Sequence, residues 1–106
     1  MSSTIPFNLL TRLLKSPLHE KCERWKEGDC AGRLTFEHVW IYAGKQINEF
    51  WAIIRLCWHH HLEANDKQFN EWVSINRASE EDLAKYPNRD WQQRKKYLNQ
   101  KYDKKT

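Results

Sequence analysis

A chain of 106 residues, 30% of them charged, has room for one domain and one modest core, which needs large side chains or a metal to close it. Six tryptophans and four phenylalanines supply apolar bulk, while no apolar run approaches the roughly 20 residues a membrane-spanning helix requires. Residues 1–16 carry neither a charged n-region nor a small-residue cleavage site, so a cytoplasmic protein without a membrane partner is expected.

The net charge of +4 is uneven. Residues 91–106 hold Arg94, Lys95, Lys96, Lys101, Lys104 and Lys105 against Asp103, a surplus of +5 that leaves the first ninety residues at about −1. A nearly neutral body with a basic tail points to a polyanionic partner. Three cysteines in a chain without an export signal read as metal ligands or reduced thiols rather than as a disulfide framework.

In chain order, Phe7, Leu10, Leu13 and Leu14 predict a packing helix over residues 4–15, with Pro6 in its first turn and Ser16-Pro17 at its end. Residues 18–33 are polar and cysteine-bearing, with turns at Gly28-Asp29 and Gly32. Alternation over residues 34–42, with Leu34, Phe36, His38, Trp40 and Tyr42 on one side, predicts a strand. Ala43-Gly44-Lys45 breaks it, residues 46–50 read as a loop, and residues 51–56 return as a short apolar strand. From Trp58 the chain turns helical and is interrupted at Asn65-Asp66. Phe69, Trp72 and Val73 then share a helix face, and Ile75, off that stripe, predicts an end soon after Val73. Ser79 caps a short helix with Glu80, Glu81 and Asp82 in its first turn, and Tyr86-Pro87-Asn88 stops it. Trp91, Leu98 and Tyr102 form the stripe of a final helix from about Arg89 to Tyr102. Strand, loop, strand and histidine-bearing helix make a ββα arrangement. The expectation is an α+β single domain over 1–106, with an N-terminal helix in 1–19, a ββα unit in 20–65 and a helical, basic segment in 66–106.

Two constellations carry chemistry. Cys22, Cys30, Cys57 and one of His59, His60 and His61 can supply the four ligands of a structural zinc. Cys57-x-x-His60 has knuckle spacing, whereas seven residues separate Cys22 from Cys30. The alternative is three buried thiols acting as small apolar side chains. The second constellation is Glu37-His38 with His61. Neighbours on a strand point to opposite faces, so both reach one ion only where the strand twists or bulges. Such a set suits phosphodiester hydrolysis: a neutral imidazole takes a proton from water, while a carboxylate and a second imidazole hold a divalent metal.

The segments GRLTFEHVWIYAG and WAIIRLCWHHH resemble the HNH, or His-Me finger, endonuclease family, in particular small HNH proteins of phages and prophages. The resemblance covers roughly residues 20–65 and implies a ββα-metal finger in a bacterial host cell. It implies His38 as general base, Glu37 and His61 as ligands of a catalytic divalent metal (Mg²⁺, Mn²⁺, Ni²⁺ or Zn²⁺), and an accessory Zn²⁺ on Cys22, Cys30, Cys57 and His60. The family's middle asparagine falls on Ala52, with Asn48 four residues earlier, and Asn65 lies one turn beyond His61. DNA is the implied partner, contacted by Arg94, Lys95, Lys96 and Lys101 in the tail and by Lys45 and Arg55 near the finger. Two alternatives stand beside the nuclease: a zinc-stabilised DNA-binding or recombination accessory protein without cleavage, and an interaction module that forms a homodimer through its aromatic side chains.

Overall fold

The computed structural model describes residues 5–102 as an α+β domain with two short antiparallel strand pairs and four α-helices among those residues. Lys104 and Lys105 of the basic tail lie outside the described residues. No helix among these residues is long and apolar enough to cross a membrane.

Helix α1 (Phe7–Lys15) follows Pro6, whose fixed φ suits a helix start and whose carbonyl accepts from Leu10 N. Its buried row is Leu9 and Leu13, one turn apart, packed with Ile53 and against Ile5 and Phe50. The expected stripe is therefore displaced, because Phe7 and Leu14 are 79% and 59% exposed. Only one row of this helix meets the start of a strand, so the remaining leucines have nothing to cover.

Strand β1 (Leu34–His38) runs antiparallel to β4 (Ile53–Cys57), with Leu34 opposite Cys57 and His38 opposite Ile53. The long first strand expected through Tyr42 ends at His38. Val39 N still bonds Ala52 O, and then Trp40 enters the core and the chain starts a separate hairpin, β2 (Ile41–Tyr42) with β3 (Lys45–Gln46). Ala43 and Gly44, at φ 54° and 79°, are its two turn residues, and positive φ at both is what a tight turn between twisted strands requires. Phe50–Ala52 forms a 3₁₀ turn, so the second strand begins at Ile53, two residues later than its apolar run predicts. Burial of Ile53, Ile54, Leu56 and Cys57 explains that unbroken run, since β4 is covered on both faces.

Helix α2 (Lys67–Ile75) is capped by Asp66, whose carboxylate accepts from Phe69 N. It ends at Ile75, two residues after Val73 as expected, but Ile75 is fully buried rather than off the packed surface. A one-stripe reading fails because α2 packs on several sides. Ile75 joins Trp40, Trp51, Trp91 and Leu98, Val73 meets Ile54 and Leu56, and Phe69 and Trp72 pack on Tyr102. Helix α3 (Glu80–Ala84) opens with the Ser79–Asp82 capping box. In α4 (Trp91–Tyr102) the expected stripe is the packed one, with Trp91 and Leu98 buried and Tyr102 partly so. Trp91 meets Trp40 and Trp51 edge to face, at centroid distances of 5.1 and 5.9 Å.

His19, in a 3₁₀ turn after α1, is buried, with Nε2 donating to Ile53 O at 2.7 Å and Nδ1 2.9 Å from Ser16 Oγ. Burial lowers its pKa below the ordinary 6.5, outweighing the bond to Ile53. The unfolded chain therefore takes up this proton first as pH falls. The stability it supports is complete above pH 6.5 and drains away as pH drops from there through the folded-state value. Melting temperatures between pH 7.5 and 5 should fall less steeply in His19→Gln than in the parent.

Candidate functional site

Cys22, Cys30, Cys57 and His60 come together from the loop before β1, the end of β4 and the turn after it, with ligand atoms within 4.8 Å of one another. The sulfurs lie 3.4, 3.7 and 3.2 Å from His60 Nδ1 in that order. One ring nitrogen cannot satisfy three thiols by hydrogen bonding, whereas one shared cation can. A tetrahedral zinc with bonds of about 2.3 Å to sulfur and about 2.0 Å to nitrogen sets these atoms about 3.5 Å apart, so the cluster fits that ion. Burial pushes the Cys57 thiol up, but hydrogen bonds from the His60 and Ala31 backbone, the His60 ring and Cys30 outweigh it and bring it down to about 6. The metal-binding thiolate is then the dominant form at neutral pH.

Loop structure compensates for the wide Cys22–Cys30 spacing. A 3₁₀ turn at Trp25–Glu27 and positive φ at Gly28 (82°) and Asp29 (62°) fold the seven intervening residues back. Glu23 N bonds Arg55 O on β4 at 2.7 Å, and His59 N bonds Ala31 O at 3.0 Å, so both ends of the loop are fastened to the segment bearing the other two ligands. Arg24, buried and paired with Glu27, donates to Ala64 O beyond the histidines. Sequence reading missed Arg24, and an arginine in a polar loop gives no sign of it. Gly32, at φ 84°, sets its Cα against Trp58, where an added Cβ would lie 2.5 Å from Trp58 Cβ. Gly32→Ala should therefore cost at least about 1–2 kcal/mol by strain alone. Chemical denaturation with zinc held constant would read it.

The three consecutive histidines diverge because His59–Glu63 makes one π-helical turn, closed by Ala64 N on His59 O at 2.8 Å. Successive side chains on such a turn point roughly 90–100° apart. His59 pairs with exposed Glu63, His60 turns inward to the sulfurs, and His61 Nδ1 meets Glu37 Oε1 at 2.6 Å. Asn65 Nδ2 bridges the His61 carbonyl (2.7 Å) and Glu37 Oε2 (3.3 Å), and Asn65 Oδ1 accepts from buried Asn70 at 2.8 Å. The buried Glu37 carboxylate thus has a fixed position.

His38 lines the same groove, of about 820 Å³, as Glu37 and His61. Glu37 and His38 are the last two residues of β1, both still in register with β4. His38 Nε2 donates to Asn48 Oδ1 at 2.7 Å, which fixes the tautomer and leaves Nδ1 with its lone pair. Asn48 thus meets the histidine, while Ala52 is fully buried and contributes only its backbone, accepting from Val39 N. The 3₁₀ turn between the two residues brings Asn48 into reach, a register that spacing alone does not disclose.

No protein-family model, curated protein or solved structure matches this chain.

Among the cations expected at DNA, Arg55 is held inside the fold. Its guanidinium lies 4.2 Å over the Phe36 ring, Nη1 donates to His19 O, and burial lowers its pKa. Arg94 pairs with Glu71 at 2.5 Å and Lys101 bonds Gln68. Lys45 and Lys96 are exposed and Lys95 half-buried, and none of the three lines the groove. Its cations are Arg33, Lys67 and Arg89.

Proposed function

We propose that the protein is a metal-dependent HNH-type endonuclease that hydrolyses phosphodiester bonds in DNA, with a ββα finger mounted on a structural zinc. The observation that carries this reading is the convergence of Glu37, His38 and His61 on one groove, with His61 next in the chain to His60 of the Cys₃His cluster. Zinc on Cys22, Cys30, Cys57 and His60 ties the loop, β4 and the π turn together. Glu37 and His61 would hold a divalent ion, which would supply charge compensation at the phosphate and leaving oxygen. His38 Nδ1 takes the proton of the attacking water, and Asn48, accepting from Nε2, keeps that nitrogen available and steadies the imidazolium. Asn65 keeps the Glu37 carboxylate turned towards His61.

A second reading, a DNA-binding protein without cleavage, is favoured by Ala52 at the position of the family's asparagine. Supercoiled plasmid incubated with zinc-loaded protein and Mg²⁺, Mn²⁺, Ni²⁺ or Zn²⁺ separates the two. Nicking with at least one metal is the expected result. Salt-dependent binding that leaves the plasmid intact with every metal selects the second reading.

A further inference from the structure

We infer that the groove itself, through Arg33, Lys67 and Arg89, is the phosphate-binding track of the protein, and that it seats one strand of a nucleic acid across Glu37 and His38. The three cations come from separate places in the chain: the residue before β1, the start of α2 and the residue two before α4. They nevertheless line one groove with Glu37, His38 and His61. Among the described residues none of them ion-pairs with a carboxylate, unlike Arg24, Arg77 and Arg94.

Each is also set in place by what surrounds it. The Arg33 guanidinium stacks 4.8 Å over Trp58. That of Arg89 lies about 5 Å from both Trp40 and Trp91 and donates to Ile41 O at 3.4 Å. Stacked guanidinium groups keep in-plane N–H donors for phosphate oxygens and lose little freedom on binding. Lys67 is exposed and also borders the smaller cavity beside Glu37 and His38. Three cations lining one groove with Glu37 and His38, where the remaining carboxylate, Glu71, is already paired with Arg94, suit a ligand with repeating anions, a phosphodiester backbone, better than a single small anion. The tail lysines lie off this track: Lys95, Lys96 and Lys101 do not line the groove.

This inference rests on the nuclease reading only for the place of the scissile bond, because binding can be read without cleavage. The test is fluorescence anisotropy of a labelled single-stranded and a labelled duplex DNA oligonucleotide with zinc-loaded full-length protein and no other divalent ion, titrated with KCl. Lys67→Ala, Arg33→Gln and Arg89→Gln should each weaken binding several-fold. Each should lower the slope of log K against log salt by roughly 0.7–0.9, the loss of one phosphate contact. Arg89→Lys should restore the slope even if packing on the tryptophans suffers, and Lys67→Ala removes no contact that supports the fold. Lys95→Ala, Lys96→Ala and Lys101→Ala should leave affinity within twofold. A slope that falls with the tail variants and not with the groove variants overturns the inference, as does failure to bind either oligonucleotide at low salt. Groove-dependent binding by a protein that never cuts upholds it while removing the nuclease reading.

Discussion

If the Cys₃His cluster holds zinc, Cys57→Ser should release it and lower the thermal stability sharply. Cys57 is buried at the end of β4, packs with Cys22, Ile54 and Leu56, and contributes the sulfur nearest His60. Structural zinc supplies on the order of 10 kcal/mol or more to small metal domains, against a net stability of about 5–15 kcal/mol for a typical domain. The loop before β1 has few apolar anchors, with Trp25 48% exposed, so an ion on the four ligands would add to the two backbone bonds that hold its ends. A loss of several kcal/mol lowers the melting temperature of a domain this size by about 15 °C or more. Metal content by mass spectrometry should fall from one zinc per chain to none, and thermal unfolding followed by circular dichroism should show the drop. A parent protein that carries no metal and titrates three free thiols contradicts it.

His38→Ala should lower kcat by about 10²–10⁴-fold, the ordinary worth of a general base, which corresponds to about 3–5 kcal/mol of barrier. Affinity for an exchangeable divalent ion should hardly change if Glu37 and His61 are its ligands, as proposed. Asn48→Ala should fall between the parent and His38→Ala, because the hydrogen bond that holds the ring and selects the tautomer is gone. Single-turnover cleavage at saturating metal separates these effects from DNA binding. A variant at His38 that cuts as fast as the parent removes the base from the scheme.

Much of this was legible in residue order, and the misses share physical causes. The grouping of three cysteines with one of the histidines was legible from residue type and the Cys57-x-x-His60 spacing, and so was the nearness of Glu37 to His61. The stripe of α4 and the Ser79 cap were equally plain, because each needs only local information. The end of β1 at His38 was not, since alternation continues through Tyr42 while the backbone leaves the ladder to form a hairpin. The end of α2 just after Val73 was legible, but the burial of Ile75 was not, because a helix packed on several sides has no single stripe. Lys45 and Arg55 are expected at DNA from nearness to the finger, and the tail cations from local charge, neither of which discloses tertiary placement. Tertiary packing instead turned Arg55 onto Phe36, paired Arg94 with Glu71 and brought Arg33, Lys67 and Arg89 to the groove.

If one ion is structural and a second works on DNA, titrating Mn²⁺ into protein that already holds one zinc will separate the two. Bound Mn²⁺ is counted by electron paramagnetic resonance while plasmid nicking is scored in the same samples. The account predicts one further ion per chain, nicking that rises with its occupancy, and loss of both in Glu37→Gln with the zinc retained. Full Mn²⁺ occupancy without nicking, or nicking that persists at the parent rate in Glu37→Gln, contradicts it.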